Sequence, residues 1–451
     1  MRAADVKIAQ PATSDPLVVH EWGTFTSLMD ESGNPLSGIN VDDEPLPPFV
    51  HNLNSYVLGP QHASHQAYPM KGVPPRHPYV TMRLETPVMY FYPPRSQTTP
   101  FSLDVDVQFH GGWLTQFYPQ AVADAPGLKE KEFKFGPIVS NTIGSLSWKH
   151  LTIGAEGQLP RTDEPVWVTP RNVPSANVGM PGGETERYLF YRGVGNINAP
   201  LSASTDMQRH TLALHSRCAD VLKPGEQLSI PAVWLADIHA DGTAAFRSLR
   251  ALTPTGDEQH LLATEPADFN SVDFSAENLD RLQREMHASL VAQGLFDEEA
   301  TVMLQTWQKS YFHSAGLRLF YVVPRKWTDH YLPLSLSQPA EITRVMVART
   351  ELISPPQRQL LNHLASASIG DAKWLEAIPA SKNRDRFMQG HSDFGNLGVS
   401  IPPEYQTYLD LGRFRNALLI YQQAHHPSPA LAKFIEEYDL SPFQVPAQAS
   451  K

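Results

Sequence analysis

Residues 101–109, FSLDVDVQF, alternate strictly: Leu103, Val105, Val107 and Phe109 fall on one face, and Ser102, Asp104, Asp106 and Gln108 on the other. Successive side chains of an extended strand point to opposite faces, so this pattern describes a half-solvated antiparallel strand. Runs rich in β-branched and aromatic residues recur at 79–92 (YVTMRLETPVMYFY), 145–153, 186–192, 209–216 and 228–238. Turn clusters separate them, among them Pro93-Pro94, Gly111-Gly112 and Pro181-Gly182-Gly183. The 40 prolines fit this reading, because proline is confined to turns, edges and first helical turns. Strands at such short spacing predict an antiparallel, β-sandwich-like domain over residues 17–270.

Near residue 275 the hydrophobic period changes. Leu279, Leu282, Met286 and Leu290 recur at helical spacing, with Gly294 at a stop position. A second helix is predicted from Asp297, its apolar stripe being Ala300, Met303, Leu304, Trp307 and Tyr311. Two strand-like runs follow at 317–323 and 342–349, then helices opened by Ser354-Pro355 and Ser428-Pro429. The expected class is α+β: a polar lead-in at 1–16, the β-rich domain, and a mixed helical and β part over 271–451.

Charge and cysteine content exclude several functions. The net charge of 36 − 47 = −11, without a basic block, disfavours nucleic acid as a partner. No apolar run is long enough for a membrane-spanning helix. Cys218 is the sole cysteine, which rules out an intramolecular disulfide and any multi-thiolate metal site. The opening MRAADVKIAQPATSDP has no apolar core and reads as the stub left after a signal peptide is removed, which points to a periplasmic or secreted protein.

Common catalytic motifs are missing: no G-x-S-x-G elbow, no H-E-x-x-H and no P-loop occurs. The positive candidate is N-terminal. His20 and Glu21 lie on the first predicted strand, in VVHEWGTFTS (18–27), and Asp42, Asp43, Glu44 and His51 follow in a proline-bounded loop. Imidazoles with carboxylates suit a divalent metal such as zinc, calcium, iron or copper. Trp22 and Phe25 lie on opposite faces of that strand, so at least one of His20 and Glu21 is expected to be buried and either paired or metal-bound. Arg192, ending YLFYR before a glycine turn, is placed to orient an anionic group. Glu85, Tyr90 and Tyr92 sit on an aromatic strand, Asp329 and His330 in a predicted loop, and His239 beside Asp237 and Asp241 as a second cluster. His62-Ala-Ser-His65 offers half a metal site; His210 and His215, an odd number apart, cannot chelate together if both lie on one strand. Ordinary structural roles compete at every position: a solvated turn at Asp42–Glu44, a satisfied core histidine at His20, a sheet-to-sheet ion pair at Arg192.

Five blocks together resemble a bacterial protein family with no assigned reaction: VVHEWGTFTS, NVDDEPLPPFVH (40–51), LETPVMYFY (84–92), YLFYRGVGN (188–196) and TWQKSYFHSAGLRLFYVVPRKWTDHYLPL (306–334). The resemblance spans about 18–355 and implies export; it carries no catalytic residue. His110 and His313 depart from its pattern, where proline and an acid are expected. The combined reading is an exported metal-dependent hydrolase acting on a small molecule or polymer. Its metal ligands would be His20, His51, Asp42 and Asp43, its base Glu21 or Glu44, with Arg192 on the substrate. The alternatives are a non-catalytic envelope or polysaccharide-binding protein with at most a structural calcium, and a copper- or iron-dependent oxidoreductase.

Overall fold

The computed structural model describes residues 15–41, 46–53, 72–129, 134–206, 208–388, 390 and 394–445. Asp42, Asp43, Glu44, His62 and His65 therefore lie outside the described residues. Ten strands frame the molecule: β1 (Leu17–Met29), β2 (Met82–Tyr92), β3 (Phe101–His110), β4 (Gly112–Tyr118), β5 (Ile143–Ile153), β6 (Leu189–Gly195), β7 (Val233–Ile238), β8 (Ala244–Leu249), β9 (Gly316–Val323) and β10 (Ala340–Leu352). The class is α+β, as expected.

The central sheet runs β5-β4-β6-β2-β1-β10-β9-β7-β8, and β3 pairs with β5 off this path. Every pairing on that path is antiparallel except two: a single parallel bridge between β4 and β5, and β1 with β10, aligned in parallel from Leu17 opposite Ala340 to Met29 opposite Leu352. The boundary drawn at residue 270 is thus crossed by the hydrogen bonds of one sheet. A period-two pattern predicts a strand but says nothing of its partner, and the nearest parallel partner of β1 lies more than 300 residues away.

Because β1 is central, both its faces are buried. Val19 and Phe25 join one apolar cluster with Leu103, Val105, Val107 and Phe109 of β3, Leu146 and Trp148 of β5, and Leu201, Leu212 and Leu214 of a separate three-stranded sheet. Trp22 joins another, formed with helix α1 (Glu277–Ala292), helix α2 (Asp297–Thr306) and the π-helical turn Gln308–Phe312. The predicted second helix thus ends at Thr306, and Tyr311 belongs to the π turn. Leu28, on the Trp22 face but nearer the strand's end, enters a third cluster with Leu361, Leu364, Leu418 and Phe434 of the C-terminal helices and Phe414 of the turn before one of them. Ser354 and Ser428 cap two of these helices through backbone N–H groups, with proline in each first turn. The Asp329–His330 segment, read from sequence as a loop, is helix α3 (Arg325–Tyr331), stabilised by an Arg325–Asp329 pair one turn apart.

Candidate functional site

Strand geometry separates His20 from Glu21, and each has its own partners. His20 Nδ1 lies 2.7 Å from Glu299 Oε2 on α2. The Glu299 carboxylate also accepts from Tyr92 Oη at 2.8 Å and from the Phe296 N–H at 2.8 Å. Burial, then Glu299, pushes the Tyr92 hydroxyl far above its ordinary range. On the other face the fully buried Glu21 accepts from Tyr191 Oη and from Arg344 Nε. Arg344 Nη1 reaches Asp329 Oδ1 at 2.9 Å and the Leu332 carbonyl at 2.6 Å.

The other predicted ligands are elsewhere. His51 Nε2 is 2.7 Å from Glu184 Oε1, and its ring stacks on Phe117 and Tyr118. Burial raises the Glu184 carboxyl, but His51 and the Gln120 N–H outweigh it and leave it below its usual value. No group of three or more His, Cys, Asp or Glu side chains forms a metal site among the described residues. His210 lies in the turn ahead of the strand Thr211–Ser216 and pairs with Asp268, whereas His215 lies on the strand. Asp241 is spent on Thr243.

The polar chemistry concentrates where sequence reading placed only Glu85 and Arg192. Along the Trp22 face of the sheet the second and third apolar clusters cover opposite ends, and a polar belt runs between them. Register sets it out: Thr24 lies opposite Glu85 on β2, Thr26 lies between Arg83 on β2 and Arg349 on β10, and Leu28 lies opposite Glu351, whose partner on β9 is Arg318. Arg192 on β6 continues it and donates to Gln116 of β4. Above the belt, Tyr311 of the π turn hydrogen-bonds Thr24, and its ring lies 5.9 Å from the Arg349 guanidinium carbon. A π-helical turn costs regular hydrogen bonding and recurs at functional sites.

Arg83, Arg318 and Arg349 are at most 1% exposed. Arg83 Nε lies 3.2 Å from Glu85 Oε1, and Arg413, from the loop between two C-terminal helices, reaches the same carboxylate at 3.1 Å. Arg318 Nε is 3.4 Å from Glu351 Oε2, Arg349 Nε donates to Oε1, and both guanidinium groups donate to Ser314 Oγ. Burial lowers Arg318 to about 9, with Arg349 and Arg413 acting in the same direction against Glu351. Burial pushes the Glu351 carboxyl up, and Arg318, Arg349 and Arg413 together outweigh it, holding it below its ordinary range. Four guanidinium groups thus surround two carboxylates among the described residues.

A signal for this belt existed in the sequence. GLRLFYVV and VMVARTEL are apolar runs of the kind buried on both faces, and each carries one arginine. Such a charge must be partnered inside the fold.

No family model matches the chain, and no curated protein matches it. Among solved structures the chain is similar to the Fcho1 Mu homology domain of Danio rerio with bound Eps15 peptide, at TM-score 0.28 and 8% identity, covering 75% of this chain and 95% of that one. It is also similar to the yeast delta-COP-I mu-homology domain, at TM-score 0.25 and 8% identity over 76% and 100% of the two chains. The same yeast domain with a Dsl1 WxWxV peptide gives 0.23 and 7% identity, over 76% and 99%.

Proposed function

We propose that this chain binds a ligand bearing an oxyanion, a phosphate, sulfate or carboxylate group, in the seam where the two helical covers meet over the sheet. The observation that carries this reading is the gathering of guanidinium groups: Arg83, Arg318 and Arg349, at most 1% exposed, and the part-buried Arg413 meet beside Glu85 and Glu351. Replacing buried ion pairs by apolar residues is often neutral or stabilising by about 1–4 kcal/mol, so stability alone is a poor reason to keep such a belt between two apolar clusters. A guanidinium fork matches an oxyanion in geometry as well as charge. Titration calorimetry with inorganic phosphate and sulfate tests it. One oxyanion per chain is expected, weakened at least about tenfold in Arg349→Gln and less in Arg349→Lys, which keeps the charge. A folded wild-type chain that binds neither ion overturns the reading.

A further inference from the structure

A cavity of about 580 Å³ lies where the ends of β7 and β9, the three-stranded sheet and the C-terminal helices meet. One residue of its lining stands out. Asp237 ends the row Val233, Leu235, Asp237 on one face of β7, and the first two of these belong to the core. Strand register sets Leu317 of β9 and Ala245 of β8 directly beside it. A half-buried carboxylate between two apolar neighbours loses hydration and gains no hydrogen bond from them. Burial accordingly holds Asp237 above its ordinary range, against His239 and Arg318.

The lining contains four aspartates, no lysine and no arginine. Three of the four are already held. Asp206 accepts from the N–H groups of Gln208 and Arg209 at 3.0 Å each, Asp268 pairs with His210, and Asp410 accepts from Gln406 Nε2 at 2.7 Å. Asp237 has neither a hydrogen bond nor an ion pair among the described residues. The nearest cations are engaged elsewhere: Arg247 with the Pro266 and Asp268 carbonyls and the Phe269 ring, Arg318 with Glu351 and Ser314. Much of the remaining wall is apolar, with Phe269, Leu360 and Leu411.

The chemistry of this wall selects its occupant. An oxyanion is repelled by it. No group of three or more His, Cys, Asp or Glu side chains is gathered to ligate a metal among the described residues. An ammonium group on a hydrocarbon body meets both features, donating to the carboxylate and laying its chain on the apolar wall. The volume is in the range of small-molecule sites. We infer that this cavity binds an organic cation, an ammonium group on an apolar body, with Asp237 as its counter-ion. The site is separate from the arginine belt, and the inference does not rest on the oxyanion reading.

Titration calorimetry of the full chain with hexylamine, hexanol and calcium tests it. Hexylamine is expected to bind at least about tenfold tighter than hexanol, because only the ammonium gains a charge-assisted hydrogen bond, and to weaken as sodium chloride is raised. Asp237→Asn keeps the side chain's shape and removes its charge, which should bring hexylamine down to the level of hexanol. Ala240→Lys, at an exposed position of the lining, places a tethered ammonium in the site. It should weaken hexylamine several-fold and leave hexanol unchanged, a readout that holds should the first variant fold poorly. Equal binding of hexylamine and hexanol, a preference that survives both substitutions, or calcium bound in place of the amine overturns the inference. So does a folded wild-type chain that binds none of the three. None of these outcomes bears on phosphate binding at the belt.

Discussion

Glu21, one of the two bases expected from sequence, is paired with Arg344 inside the fold, and a double-mutant cycle with Arg344 tests that pairing. Both side chains are at most 1% exposed, and Arg344 Nε donates to Glu21 Oε2. Glu21→Leu leaves the guanidinium with one partly exposed carboxylate, Asp329, and the Leu332 carbonyl. Removing one partner of a buried pair costs about 3–5 kcal/mol, because the survivor is an uncompensated charge in a poor solvent. The same cost is expected for Arg344→Met. In Glu21→Leu/Arg344→Met no charge is stranded. What remains is the Tyr191 hydroxyl deprived of its acceptor, costing about 1–3 kcal/mol. The double variant is therefore expected to be more stable than either single one, where additivity would make it about 6–10 kcal/mol worse than wild type. Urea unfolding followed in parallel by tryptophan fluorescence and far-UV circular dichroism measures this, with coincident transitions checking two-state behaviour. Glu21→Leu unfolding within about 1 kcal/mol of wild type, or an additive double variant, would refute the structural assignment.

Two further outcomes follow from buried histidines. Burial lowers His77 from 6.5 to about 4, opposed by its hydrogen bond to the Gly136 carbonyl. The unfolded chain then binds the extra proton first, so stability falls as pH drops from about 6.5 towards 4, by about 1.4 kcal/mol per pH unit and about 3 kcal/mol in all. His77→Gln should flatten the stability profile between pH 6.5 and 4.5, and an unchanged slope would contradict the assignment. His20→Ala should cost about 1–3 kcal/mol, since the fully buried Glu299 loses one hydrogen-bond partner and keeps, among the described residues, Tyr92 and the Phe296 N–H. Elemental analysis of untagged protein should find the same metal content in both forms. A stoichiometric zinc, iron or copper lost from a stable His20→Ala protein would instead favour the metal-dependent hydrolase expected from sequence.

Much of the element inventory was legible because it depends on local patterns. The alternation at 101–110, the helical stripe from Leu279 to Leu290 and the Ser-Pro caps at 354 and 428 all appear in the fold. Helix α3 was missed because its seven residues carry no full apolar stripe, only a proline before and an Arg-Asp pair one turn apart. At the candidate site, Arg192 and Glu85 were picked out singly. Their company was not, since Arg83, Arg318, Arg349 and Arg413 come from separate parts of the chain that only strand register and helix docking bring side by side.

The opposition of His20 and Glu21 was settled by sequence alone, because a strand's period of two needs no knowledge of its neighbours. Burial of at least one of them was equally forced by Trp22 and Phe25 on the two faces. Tertiary structure decided that both are buried, and beside what: Glu299 from a helix 279 residues on for one, Arg344 from a parallel strand 323 residues on for the other. A side chain's chemistry is local, but the field it feels is set by whatever the fold places within a few ångströms, and pairing register carries that information across any distance in the chain.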